Sequence, residues 1–146
     1  MIPNRLVLDT NVLLDLFVFR DPRWAGLLDA LANGAIHCVT RADCRAEWLH
    51  VLHYPHLPLD DEKRAAAIAE CDRLIQLSDD TAAPAVLPVC SDRDDQKFLE
   101  LARDVHAAVL VTKDKALLKL ARRTVKAGMF RILTPQAWLQ EQASFR

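Results

Sequence analysis

The chain has 146 residues, of which 51% are apolar and 27% charged, with a net charge of −1. That length and ordinary globular composition predict a single domain over residues 1–146, with a core large enough to fold without disulfides or a structural metal. The near-zero charge excludes a molecule-wide electrostatic trap for nucleic acid, so any such binding must come from a local patch.

Leu6, Val7 and Leu8 form a short apolar run ending at Asp9, the pattern of a strand buried on both faces. Asp9 or Thr10 caps the helical pattern that follows, with Val12, Leu13 and Leu16 on one side. Asp21-Pro22 opens a helix over residues 23–32, which Asn33-Gly34 stops. Ile36 to Val39 reads as a second strand, and Thr40 as the cap of a helix reaching residue 53, ended by Tyr54-Pro55. Asp60-Asp61 begins a long alanine-rich helix to about residue 77, with Ile68, Cys71 and Ile75 at helical spacing. Residues 78–89 are the least regular stretch, with a short strand expected at Val86-Leu87. A helix starts within residues 91–94, a buried strand covers 109–112, and a short helix 115–123. The last strand falls at 130–133, before a final helix opened by Thr134-Pro135. No apolar run approaches the ~20 residues of a membrane span, and the N-terminus lacks a signal-peptide core. Cys38, Cys44, Cys71 and Cys90 have no metal-like spacing and read as small buried residues of a reducing compartment, so the expected location is cytoplasmic.

Strands alternating with helices predict an α/β protein whose parallel sheet is covered on both faces. Its ligand crevice then lies beyond the carboxyl ends of the strands. Asp9 follows the first strand and Asp114 follows the strand at 109–112, although either position also suits a simple helix cap. In the helix after residue 94 the apolar stripe is Phe98, Leu99, Ala102 and Val105. Counting back three and four residues places Asp95 on that inward face, where an unpaired carboxylate is costly. The dipole of the same helix accounts for Asp92 and Asp94. Glu47 lies at the edge of a stripe of Cys44, Trp48, Val51 and Leu52, a position that a solvated flank residue also takes.

If these carboxylates converge, two unit charges ~4 Å apart repel by about 4 kcal/mol at an effective dielectric of 20. Protons or a cation must then sit among them. Clustered carboxylates with no nearby His or Cys suit Mg²⁺ or Mn²⁺, which activates water against a phosphodiester without a covalent intermediate. His50, His53 and His56 are three apart, but Pro55 breaks the helix between the last two, which argues against zinc. Lys113, Lys115, Lys119, Arg122 and Lys126 surround Asp114 in sequence, and the last four share one side of a helix if it runs that far. That strip is either an ordinary solvated face or a phosphate-steering one. Trp24 and Trp138 serve the core or an interface.

Four motifs in order resemble a known family. Val7-Leu8-Asp9-Thr10-Asn11 resembles the strand-end motif that opens PIN domains. The stretch from Cys90 through Asp94-Asp95 to Ala102 is similar to the third-acid helix of one bacterial branch. Val111-Thr112-Lys113-Asp114 resembles the strand delivering a fourth acid, and Ile132-Leu133-Thr134-Pro135 the closing strand and helix start. The resemblance implies a three-layer α/β/α sandwich with parallel strand order 3-2-1-4-5. It also implies a Mg²⁺- or Mn²⁺-dependent endoribonuclease, often the toxin of a toxin–antitoxin pair. Its acids would be Asp9, Glu47, Asp95 and Asp114, with Thr10 and Asn11 supporting Asp9, and Thr112 supporting Asp114. The implied partners are RNA, contacted by Lys113, Lys115, Lys119 and Arg122, a small antitoxin and a second copy of the chain. Ala116 stands where many relatives carry a further acid, which bears on whether one or two metal ions bind. The same acids would also serve a deoxyribonuclease, or survive in a binding module with a weakened site.

Overall fold

The computed structural model describes residues 1–79 and 86–144. Five parallel strands form one sheet in the order β3-β2-β1-β4-β5. They are β1 (Ile2–Leu8), β2 (His37–Thr40), β3 (Ile75–Leu77), β4 (Ala107–Val111) and β5 (Arg131–Leu133). Side chains alternate across this sheet, as strand geometry requires. Leu6, Leu8, Cys38, Val109 and Val111 enter one core, while Val7, Val39, Leu110 and Ile132 enter the other.

Helices cover both faces. Against the first pack α1 (Thr10–Phe17), α2 (Ala25–Ala32), α4 (Asp61–Leu74) and α8 (Pro135–Ser144). Against the second pack α5 (Gln96–Asp104), α6 (Lys115–Leu118) and α7 (Ala121–Lys126). The helix α3 (Ala42–Val51) serves both cores, through Trp48 and Cys44. Trp24 and Trp138 are both buried in the first core, and all four cysteines are free and buried. This is the three-layer sandwich and strand order anticipated from the sequence.

Several local expectations need correction. The alanine-rich helix stops at Leu74 and passes directly into β3, where Cys38 pairs with Ile75. Ile75 is buried in either conformation, so its spacing from Cys71 could not separate the two. Val86 and Leu87 are not a strand; β3 supplies that place in the sheet, and part of the irregular stretch lies outside the described residues. Thr40 belongs to β2 rather than capping a helix; α3 begins after Arg41, without a side-chain cap. The helix expected over residues 115–123 is two short ones, because Leu120 N–H bonds the i−3 carbonyl of Leu117 and tightens the turn. Lys115 and Lys119 therefore belong to α6 and its C-cap, and Arg122 and Lys126 to α7, so the four do not form one continuous helical stripe. Among the described residues, no helix is long and apolar enough to cross a membrane.

Candidate active site

In the order 3-2-1-4-5 the chain turns left from β1 to β2, then later re-enters on the right as β4. The crevice of such a sheet opens where the direction reverses, between the carboxyl ends of β1 and β4. Leu8 pairs with Val111 there, so the residues that follow, Asp9 and Thr112, emerge side by side. Asp9 ends β1 and caps α1, its Oδ1 accepting from Val12 N–H at 3.0 Å. Thr112 Oγ1 donates to Asp9 Oδ2 and accepts from Asp114 N–H at 2.9 Å. One fully buried hydroxyl thus fixes the acids of two strands.

A cleft of about 320 Å³ opens at this point, within the size range of small-molecule sites. All four predicted acids, Asp9, Glu47, Asp95 and Asp114, line it, with Thr10, Asn11, Asp92 and Asp94. A larger cavity of about 660 Å³ lies beyond the amino ends of β1 and β2, lined by Asn4, Gly26, Asp29 and Trp138 among others. It holds no group of acids, so volume does not locate the chemistry.

The carboxylates carry their mutual repulsion in different ways. Asp9 is 3% exposed, and burial raises its pKa to about 6 against the opposing bonds from Thr112 and Val12. Asp95 is also raised, by burial first, then by its hydrogen bond and charge repulsion with Asp114, and by the charges of Asp92 and Asp9. Asp114 moves down, because Asp95 donates to it and Ala116 N–H bonds its Oδ1 at 2.8 Å. The two carboxyl groups titrate as a pair, Asp95 pushed up and Asp114 pushed down. Asp95 Oδ2 is nevertheless buried with no conventional donor among the described residues. Glu47 is neutralised differently: Lys97 Nζ lies 2.9 Å from its Oε1, and Thr10 Oγ1 donates to its Oε2.

One oxygen each of Asp92, Asp95 and Asp114 lies within 4.8 Å of the others, a spacing that one cation can bridge. These donors are all carboxylate oxygens, and the orphaned Asp95 Oδ2 lacks what a cation would supply, so the set fits a hard divalent ion. His56 lines the cleft, contrary to the expectation that no histidine is near, but no third nitrogen or sulfur ligand joins it among the described residues. Cys90 lies close to Asp95 and Asp114, and burial raises its thiol pKa, leaving it protonated and a poor ligand.

The structure redistributes several roles. Thr10 supports Glu47 rather than Asp9, because the first residue of α1 faces α3. Asn11 is an exposed wall of the cleft, and Asp9 takes its hydroxyl partner from β4 instead. Thr112 serves both Asp9 and Asp114. Asp92, attributed above to the helix dipole alone, caps the turn through Asp94 N–H and also joins the oxygen trio. Its place three residues before Asp95, one turn away, was the available signal. Lys113 forms an ion pair with Asp15 at 2.6 Å, though without hydrogen-bond alignment, and so is held beside α1. Lys115, Lys119 and Arg122 are exposed and form no ion pair among the described residues.

Ion pairs tie α3 and the residue before it to α5. Lys97 of α5 meets Glu47 of α3, and Arg41 before α3 reaches Glu100 of α5 at 3.0 Å. Asp95, the residue before α5, and Glu47 of α3 thereby line the same cleft. A family model described as PIN domain matches residues 5–116, which include every acid of the cleft. A search of curated proteins finds no matching sequence.

Proposed function

We propose, from the premise that this chain belongs to the PIN-domain family, that it is a Mg²⁺- or Mn²⁺-dependent endoribonuclease and the toxin of a toxin–antitoxin pair. PIN domains are generally metal-dependent nucleases, and the chain carries an acidic cluster able to hold a divalent ion. The observation that carries the reading is the oxygen trio of Asp92, Asp95 and Asp114 beside buried Asp9, at the switch point of the sheet.

Asp92, Asp95 and Asp114 would hold the ion, with Asp9 and Glu47 bordering it on the same cleft. When bound, the ion supplies Lewis-acid charge that makes water more acidic and offsets charge developing on the phosphodiester. The residues do the rest. Thr112 holds Asp9 and the backbone of Asp114 in fixed register, so little reorganisation accompanies binding. Asp95, whose pKa is raised, would have to be deprotonated to serve as an anionic ligand. Lys97 keeps Glu47 from adding an uncompensated charge. RNA as substrate, capture by a small antitoxin, and homodimerisation belong to the same reading and rest on the bacterial branch that the sequence resembles.

The direct test incubates the protein with end-labelled single strands of RNA and DNA of one sequence, in Mn²⁺, Mg²⁺ or EDTA. Internal cuts in RNA with either ion, absent in EDTA, are expected. Cleavage of DNA alone would make the protein a deoxyribonuclease, and intact strands in every lane would favour a binding module.

Lys115, Lys119 and Arg122 are free to steer phosphate toward the cleft, whereas Lys113 is engaged by Asp15. Reversing charge at Lys119 and Arg122 together is expected to weaken RNA binding and to lower the slope of log affinity against log salt by roughly 1.4, two single-strand phosphate contacts. An unchanged slope removes these residues from the binding path.

A further inference from the structure

The cleft carries more acid than cation, and a polyanion is repelled by that wall until an ion is bound. Beyond the steering by Lys115, Lys119 and Arg122 outside it, the cleft itself favours a contribution that is not electrostatic. The rest of its lining supplies one. Val51, Tyr54, His56 and Leu57 line the cleft along with the acids, together with Leu14 and Phe98. Tyr54 is 42% exposed, so part of its ring is open to solvent. Its ring meets His50 edge-on at 5.6 Å and His56 in a tilted arrangement at 5.8 Å. These are two of the three histidines whose spacing raised zinc; their nitrogens do not converge with a third ligand among the described residues, and their rings instead support a tyrosine.

The ring cluster is held in place. Tyr54 N–H bonds Val51 O at 3.0 Å, and Leu57 N–H returns to Tyr54 O at 3.2 Å. Leu52 and Leu57 anchor both ends of this turn in the core, and Arg64 Nε ties Leu52 O to α4. Pro55 keeps Tyr54 out of helical conformation. A preset aromatic surface beside a phosphodiester-cleaving centre matches the chemistry of base stacking, which is open to any unpaired base and closed to one inside a duplex.

Resting on the nuclease reading above, the geometry points to Tyr54, flanked by His50 and His56, as a stacking platform for an unpaired nucleobase of the substrate strand. The ring reads a base face and not a sugar, so ribose and deoxyribose strands both engage it.

The test measures binding of fluorescein-labelled RNA and DNA decamers of one sequence, and of their duplex, in EDTA and in Ca²⁺. Wild type is compared with Tyr54→Ala, Tyr54→Leu, Tyr54→Phe and Tyr54→Trp. Alanine and leucine variants are expected to lose about tenfold or more of the single-strand affinity. The phenylalanine and tryptophan variants should retain it, and weak duplex binding should not change. Stacking should also quench 2-aminopurine placed in the strand, in wild type but not in Tyr54→Leu. Leucine keeps apolar bulk, so its failure separates stacking from packing. Wild-type affinity in Tyr54→Ala, an equal loss on duplex, a loss confined to one sugar, or failure of the phenylalanine variant each overturns the platform while leaving the nuclease. No binding or cleavage of any nucleic acid by the wild type overturns the nuclease reading, and the platform with it.

Discussion

Asp95→Asn is expected to reduce ion-dependent cleavage by roughly a thousandfold or more, about 4 kcal/mol of barrier, while leaving the ion-free protein at least as stable as wild type. The two halves of this result come from one cause. Asp95 is held in its protonated form by burial and by Asp114, so its carboxyl contributes little favourable charge to the ion-free fold. Asparagine has the same shape, carries no charge and can donate to Asp114 as the protonated acid does. What it cannot do is become an anionic ligand when the ion enters. An ordinary structural polar residue behaves in the opposite way: its replacement lowers the melting temperature and spares the rate. Cleavage assays with Mn²⁺ and melting curves in EDTA measure the two halves separately. A variant that cuts at the wild-type rate, or melts several degrees lower in EDTA, would remove Asp95 from the site.

The second expected result is a fall in ion-free stability as pH rises. The folded-state pKa of Asp9 is raised from 3.8 to about 6, chiefly by burial. Between those values the unfolded chain has released its proton and the native chain has not. The native state then binds more protons, and the unfolding free energy declines as pH increases. A shift of about two units amounts to roughly 3 kcal/mol, present in full below pH 4 and lost as pH passes through about 6. Asp95 extends the loss to higher pH, since it is raised as well. Asp114, which is lowered, acts oppositely but in the acid range below its ordinary value. The melting temperature in EDTA should therefore decrease from pH 5 to pH 8. Added Mn²⁺ or Mg²⁺ binds only the deprotonated acids, so its stabilising effect should be small at pH 5 and large at pH 8. A flat or rising EDTA profile over that range would contradict the assigned burial of these acids.

The outline of the cleft was legible wherever a residue's place in the chain determined its place in space. Asp9 and Asp114 could be read because each lies just past the buried apolar end of a strand, Asp9 immediately after Leu8 and Asp114 three residues after Val111. Asp95 could be read because its helix has one apolar stripe. Glu47 sat on the edge of its stripe, and only the contacts with Lys97 and Thr10, 50 and 37 residues away, fix where its carboxylate goes. Thr112 was read as serving one acid and serves two, since its second partner belongs to a neighbouring strand and local sequence carries no register between strands. The edge strand β3 was hidden because a buried residue at its start also continued the helical spacing of α4. The platform at Tyr54 was visible only as three histidines and a proline; spacing suggested a metal, and the ring contacts supply a different use.

The strand order has a consequence for synthesis. β1 leaves the ribosome before the other four strands and soon gains β2, but its other flank is reserved for β4, about a hundred residues later. Until then β1 is an apolar edge without a neighbour, the kind of surface that draws chaperones or other strands. Asp9 over the same interval has neither Thr112 nor Asp114 beside it. A growing chain therefore holds no assembled acid cluster until the segment through residue 116 has emerged and docked, and every shorter product lacks it.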